Sequence, residues 1–346
     1  MSHITLPAFY CPFPREIHPQ VEAVHQHTLN WALGHRLLQK EVAIQRFHTS
    51  RFAWLAARAY PRTSFEELAL TNDFFTWLFM LDDQFDDSNF GRQFARMEQV
   101  VDSLLAVLGI MRLGKSQPSK PLQGPVAEAL LELWERARPL TTPQWQQRFA
   151  GHLRDYLDAY LWEIGNRVRG ETPAVALYIE KRQDAGAMRL ALDYIDLAEH
   201  IDLPPEIYQS SLVQTLLLIT NNVVCWQNDI VSVEKEMAHG DYSNLVLVLQ
   251  KAHTCSLQDA ISLANELTTR EIKLLESLSD IVPTMLPDYQ PDLQKYLAGA
   301  RSWIRGNLDW SLESYRYIDI EQLVDGHEPS YLEEILPDGT KPIQGA

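Results

Sequence analysis

The chain predicts an all-α protein, a helical bundle organised as a single domain. Three observations predict it. Hydrophobic residues recur at helical spacing in most segments, while the every-second-residue alternation of strands is scarce. No Gly/Ser-rich linker and no internal repeat divides the 346 residues. The clear punctuation in the first half is Gly114-Lys115-Ser116-Gln117-Pro118-Ser119-Lys120-Pro121 with Gly124-Pro125 after it, which reads as a surface loop between helices. The expected organisation is one helical domain over 1–346, with a proline-rich segment at 1–20 and a flexible tail at 326–346.

The first informative helix opens at Ser64-Phe65-Glu66-Glu67, a serine with a glutamate three residues on, as in a capping box. The chain stays helix-compatible through Leu68, Phe75, Leu78 and Phe79, then reaches Leu81-Asp82-Asp83-Gln84-Phe85-Asp86-Asp87. Four carboxylates therefore fall near a helix C-terminus, where the macrodipole is already negative. They cost stability there unless a cation sits among them. Asp82 and Asp86 share a helix face, and so do Asp83 and Asp87. Phe75 and Phe79 lie on nearly the face of Asp82, one and two turns earlier. That face carries an acidic rim above an aromatic wall, and hard oxygen donors at this spacing suit Mg²⁺. The plainer alternative is a solvated acidic helix end running into the loop Ser88-Asn89-Phe90-Gly91.

A second helix is expected to start near Pro205, a good first helical residue, and to end before Gly240. It is apolar through Leu216, Leu217, Leu218 and Ile219. It then presents Asn228, Ser232 and Glu236 at i, i+4 and i+8. Each four-residue step advances about 400°, so the three drift by only about 40° per step. They form one stripe of amide, hydroxyl and carboxylate oxygens, able to chelate one hard cation and leave room for water or phosphate.

Composition bounds the partners. Of the charged residues, 46 are acidic and 30 basic, for a net charge of −16. A basic face for nucleic acid is not expected on such a chain. Cys11, Cys225 and Cys255 make no zinc or disulfide pattern, and Cys225 reads as cavity lining or core. The N-terminus, with Pro7, Pro12, Pro14 and Pro19, lacks the basic and apolar regions of a signal peptide. No apolar run is long enough for a membrane span, so a reducing cytoplasm is expected. A homodimer stays open as the assembly, which the sequence does not determine.

These motifs together resemble the class I terpene synthases of the microbial, single-domain type. Asp82 to Asp86 resemble the family's aspartate-rich motif. Asn228, Ser232 and Glu236 match its ND-x-x-S-x-x-x-E motif without a gap. Arg316-Tyr317 resembles its C-terminal Arg-Tyr pair. Arg182, followed by Ala185 and Gly186, fits its diphosphate-sensing arginine ahead of a small effector residue on a broken helix. The matches run from about residue 60 to about residue 320.

The resemblance implies a linear prenyl diphosphate substrate, ionised and then cyclised; length favours the fifteen-carbon farnesyl chain by family analogy, with ten- and twenty-carbon chains left open. It implies three Mg²⁺ ions held by Asp82 and Asp86 on one wall and by Asn228, Ser232 and Glu236 on the facing wall. Bound cations would reconcile an acidic protein with an anionic substrate. Arg182, Lys235, Arg316 and Tyr317 would donate to the diphosphate, with Asp83 orienting Arg182. Phe75, Phe79 and Trp310 would line the cavity that shelters the carbocation. Gly186 would mark the helix break. The proline-rich N-terminus would be a strap over the site or a disordered tail. Two other classes stay open: a chain-elongating prenyltransferase of the same fold, which uses two aspartate-rich motifs, and a non-catalytic binder of prenyl diphosphates.

Overall fold

A computed structural model describes residues 4–87, 93–115, 119–317, 332, 333, 335 and 336. Asp86 and Asp87 belong to a described helix, but their side chains, and the loop Ser88 to Gly91, lie outside the described residues. The described residues form helices and connecting loops with no strand. The helices are α1 (Val21–Gly34), α2 (Glu41–Ser50), α3 (Phe52–Ala59), α4 (Phe65–Asp87), α5 (Phe94–Val107), α6 (Pro125–Ala137) and α7 (Pro143–Arg169). They continue with α8 (Val175–Ala185), α9 (Met188–Glu199), α10 (Pro205–Tyr208), α11 (Ser211–His239), α12 (Leu245–His253), α13 (Leu257–Met285) and α14 (Gln290–Glu313). A single 3₁₀ turn, Tyr315–Tyr317, follows α14.

Local chemistry sets the boundaries that matter for the site. At α4 the capping box forms in both directions: the Glu67 N–H donates to Ser64 Oγ at 3.2 Å, and the Ser64 N–H donates to Glu67 Oε2 at 3.2 Å. The helix bearing Asn228 begins at Ser211, not near Pro205. Pro205 does start a helix, but α10 lasts only four residues. Ser210 then turns extended and caps α11, its Oγ accepting the Val213 N–H at 3.4 Å. Gly240, in the left-handed region at φ 71°, closes α11.

α11 is the central helix. It packs on α13 and α14, and also on α8, α9 and α12. α4 packs on α1, α3 and α6. Its buried Asp73 accepts from Thr28 at 2.7 Å, from Arg136 at 2.8 Å and lies 3.1 Å from His27, so one carboxylate joins α4 to α1 and α6. The buried apolar side chains form one contiguous cluster. This arrangement sets the end of α4 and the end of α11 around a shared cavity.

Both chain ends pack where described. The N-terminal segment runs along α13: Thr5 exchanges backbone hydrogen bonds with the Gln258 side chain at 2.9 Å, and Tyr10 donates to Glu276 at 2.9 Å. None of the described residues before α1 lines the cavity, and packed along α13 they do not form a free tail. In the expected flexible tail, Leu332, Glu333 and Ile335 are instead buried. Glu333 Oε1 accepts the Gln39 and Lys40 N–H groups at 2.6 Å each. A carboxylate at the start of α2 satisfies orphan helix donors and matches the dipole.

Candidate active site

The cavity between α4, α7, α8, α11 and α14 has a volume of about 180 Å³. Its walls divide by polarity. Leu55, Phe75, Leu78, Phe79, Val224, Trp303 and Trp310 line the apolar part. Asp82, Arg182, Asn228, Ser232, Lys235, Glu236, Arg316 and Tyr317 line the polar part. Residues separated by up to 262 positions thus meet at one cavity, and all but two of the residues singled out from the sequence border it. The exceptions are Asp83, which faces the other way, and Asp86, whose side chain lies outside the described residues.

On the α4 wall, Asp82 Oδ2 accepts from Arg316 Nη2 at 2.7 Å, and its Oδ1 accepts from the Tyr160 hydroxyl. Asp83 Oδ1 lies 2.8 Å from Arg316 Nη1. The expected pairing of Asp83 with Arg182 is therefore corrected. Asp83 is one residue, about 100°, round the helix from Asp82. That rotation aims it toward Arg46, at 4.0 Å, and away from α8. One guanidinium consequently spans both carboxylates in a fork.

On the α11 wall, Asn228 Oδ1 accepts from Arg182 Nη2 at 2.9 Å, and Asn228 Nδ2 donates to the Tyr317 hydroxyl at 2.8 Å. Ser232 Oγ donates to Glu236 Oε1 at 2.6 Å, and Asn244 Nδ2 donates to Glu236 Oε2 at 2.8 Å. Burial, with Asp229 and Asp241 nearby, pushes the Glu236 carboxyl up to about 8. Arg182 also pairs with the wholly buried Asp229 at 2.7 Å. Burial raises the Asp229 carboxyl against the opposing pull of that arginine.

Ala185 and Gly186 sit where α8 stops and α9 has yet to begin. The left-handed residue there is Ala187, at φ 55°, while Gly186 has an ordinary φ of −77°. Glycine at 186 is needed for a different reason than loosening the helix. A Cβ would collide with Cys225 Sγ on α11. Cys225 is buried and also borders the cavity.

The aromatic wall is tightly engaged. Phe79 stacks on Phe52 with centroids 4.5 Å apart, and the Arg316 guanidinium carbon lies 4.7 Å from the Phe79 centroid. Trp310 meets the Tyr317 ring edge-on at 5.9 Å and donates its Nε1–H to the Ser50 carbonyl at 2.9 Å. Phe75 packs on Trp303 at 5.5 Å.

Sequence reading passed over Asp229, Tyr160, Arg167, Asp241 and Asn244. Asp229 stands beside Asn228 in the motif but about 100° off its stripe. Asn244 had a local signal, as the residue capping α12 four positions after Gly240. Tyr160 and Arg167 lie on a separate helix and had none.

The oxygen donors fit a hard divalent cation. Amide, hydroxyl and carboxylate are all present on one stripe. A half-buried Glu236, whose hydrogen bonds among the described residues come from Ser232 and Asn244 and not from a cation, is the environment a metal would relieve. Among the described residues no three His, Cys, Asp or Glu side chains converge, so such a site would depend on the neutral donors and on Asp86.

A family model described as terpene synthase family 2, C-terminal metal binding, matches residues 73–274, more than half of the chain. The chain belongs to the terpene synthase family. It is 40% identical to the (+)-T-muurolol synthase of Roseiflexus castenholzii, over 88% of this chain and 92% of that one. It is 33% identical to a germacrene A synthase of Nostoc punctiforme, over 93% and 98%. A variant of cucumene synthase superposes with a TM-score of 0.78 at 27% identity, covering 88% of this chain and 98% of that chain. The synthase is thus a terpene cyclase, a lyase, and its family is a metal-binding one; the chain-elongating and non-catalytic alternatives find no support. Among its described residues no helix is long and apolar enough to cross a membrane.

Proposed function

We propose that this synthase ionises farnesyl diphosphate and cyclises the resulting cation, with three Mg²⁺ ions. The carrying observation is the shared cavity, bordered by Asp82, by the Asn228, Ser232 and Glu236 stripe, by the cationic side chains of Arg167, Arg182, Lys235 and Arg316, and by the rings of Phe75, Phe79 and Trp310. The (+)-T-muurolol and 4-epi-cubebol synthases among its relatives are described as cyclising (2E,6E)-farnesyl diphosphate, which supports the fifteen-carbon substrate.

Asp82 and Asp86 would hold metal on one side, and Asn228, Ser232 and Glu236 on the other. Bound Mg²⁺ supplies Lewis-acid stabilisation of the negative charge gathering on the leaving diphosphate. The protein's own residues do the rest. Arg182, Lys235, Arg316 and Tyr317 donate hydrogen bonds to the diphosphate oxygens. Without substrate, Arg182 and Arg316 are engaged by Asn228 and Asp82, the residues assigned to the metal. Substrate arrival exchanges these partners, so the arginines pass from protein oxygens to diphosphate oxygens. Asp83 keeps its hold on Arg316 and orients it. Phe75 and Trp310 face the cavity with π-electron density that favours a cation. Their apolar surroundings keep water away until rings have closed.

The test is mass spectrometry of volatiles formed separately from ten-, fifteen- and twenty-carbon prenyl diphosphates, with and without Mg²⁺. Cyclic fifteen-carbon products with equimolar pyrophosphate are expected, and only with the metal. Longer prenyl diphosphates on addition of isopentenyl diphosphate would overturn the reading. So would farnesyl diphosphate binding without pyrophosphate release.

A further inference from the structure

We propose that Arg167 is a positioning residue that locks the aspartate-rich end of α4 to the Glu236 end of α11; this rests on the roles given above to those two ends. Arg167 sits in the last turn of α7, a helix that carries neither motif. Its side chain is nearly buried, at 7% exposure, and borders the cavity. Among the described residues the guanidinium reaches both motif-bearing ends. Nη1 donates to the Phe85 carbonyl at 3.1 Å, and Nη2 donates to Asp241 Oδ2 at 2.6 Å.

Each contact lands on a group that controls a motif. Phe85 lies between Asp82 and Asp86, and its carbonyl is among the last four of α4, which have no partner within the helix. A cation bound there answers both the orphan acceptor and the negative dipole end beside the carboxylates. Asp241 directly follows Gly240, the left-handed residue that closes α11. Its N–H donates to the Glu236 carbonyl at 2.9 Å, and its Oδ1 accepts the Ser243 N–H at 2.8 Å. That turn delivers Asn244, whose side chain holds Glu236 Oε2 at 2.8 Å. The chain of contacts therefore runs from the Phe85 carbonyl through Arg167, Asp241 and Asn244 to the Glu236 carboxylate. A plain helix-end cation on α7 would need neither distant partner.

The test measures Mg²⁺-dependent binding of inorganic pyrophosphate to the full chain by calorimetry, with melting followed in the absence of both. The variants are Arg167→Met, Arg167→Lys, Asp241→Asn and the double variant Arg167→Met/Asp241→Asn. Each single loss should weaken pyrophosphate binding about tenfold or more while the ligand-free melting temperature falls by only a few degrees. The double variant should be no worse than the worse single one, because both act through one contact. Lysine should recover part of the loss, since it keeps the charge and can reach either the Phe85 carbonyl or Asp241. Wild-type binding in both Arg167→Met and Asp241→Asn overturns the proposal. Losses that multiply in the double variant also overturn it, since Arg167 would then touch the ligand independently of Asp241. If Arg167→Met does not fold, Asp241→Asn and Arg167→Lys decide alone on the same criterion. A wild-type chain that binds no pyrophosphate overturns the underlying reading and this one with it; normal wild-type binding with unchanged variants overturns this one alone.

Discussion

Arg316 reaches across 234 positions of sequence to Asp82, with Nη2 and Oδ2 2.7 Å apart. The contact joins the turn after α14 to the end of α4, and the same guanidinium holds Asp83. The Arg316 side chain is only 3% exposed, so its charge depends on these partners, while Asp82 keeps 30%. Breaking a fully buried pair costs about 3–5 kcal/mol. Solvent access to Asp82 lowers the expected loss for Arg316→Leu to roughly 2–3 kcal/mol. Pyrophosphate release from farnesyl diphosphate should fall at least about a hundredfold, a barrier increase of about 2.7 kcal/mol. Denaturant unfolding and a pyrophosphate assay check the two effects separately.

The register of the aspartate-rich motif is open to a direct comparison. Asp82 lines the cavity, whereas Asp83 points to Arg46 and Arg316. Asp82→Asn should therefore abolish pyrophosphate release, and Asp87→Ala should change it by less than about threefold (below about 0.7 kcal/mol). The reverse pattern would move the metal-facing pair to Asp83 and Asp87.

Gly186 and Cys225 form a steric pair. Gly186→Ala should push α8 from α11, displacing Arg182 from Asn228 and cutting turnover. Overpacking of this kind typically costs about 1–3 kcal/mol. Cys225→Ala removes the colliding sulfur and leaves ordinary contacts to the Arg182 carbonyl oxygen at 3.4 Å and to the residue-225 Cβ at 3.7 Å. The double variant should regain most of the stability and activity that Gly186→Ala loses. No rescue in melting temperature would show that the glycine serves something other than this approach.

Trp310 and Phe79 should separate in product analysis. Phe79 already carries Phe52 and the Arg316 guanidinium, so Phe79→Leu should slow pyrophosphate release as well as alter products. Trp310→Leu should leave release within a few-fold and redistribute products toward acyclic or early-quenched terpenes. A ring near a cation contributes roughly 0.5–2 kcal/mol, enough to shift a product ratio about two- to thirtyfold. An unchanged chromatogram for Trp310→Leu would place the cation-stabilising wall elsewhere.

His25 should make the synthase acid-sensitive. It stacks on Phe47 at 4.9 Å and faces His48, with ring nitrogens 2.8 Å apart. Burial, aided by His48, lowers its pKa from 6.5 to about 4. The folded state therefore resists a proton that the unfolded state takes up. The resulting stability is fully present above pH 6.5 and is lost as pH falls toward 4, by at most about 3 kcal/mol. His25→Phe should flatten this part of the pH–stability curve. Equal slopes for the two proteins between pH 6.5 and 4 would refute the assignment.

Much of the helical architecture was legible in the chain because its causes are local. The Ser64–Glu67 capping box and the apolar spacing that follows it predict where α4 starts. The i, i+4, i+8 spacing of Asn228, Ser232 and Glu236 places three oxygens on one stripe whatever surrounds the helix. The start of α11 was misjudged because Pro205 is as good an opening residue for a one-turn helix as for a long one. Pairing was beyond the chain's reach. Asp83 was assigned to Arg182 and belongs to Arg316, since helical phase says which face a residue takes but not which helix covers that face. Gly186 looked like a hinge, and its absent Cβ turns out to make room for Cys225. Arg167, Tyr160 and Asp241 carried no spacing signal at all, because their partners lie 74 to 82 positions away. Sequence periodicity records one helix at a time. Contacts between helices depend on how whole apolar faces pack together, and that packing alone decided which arginine meets which acid.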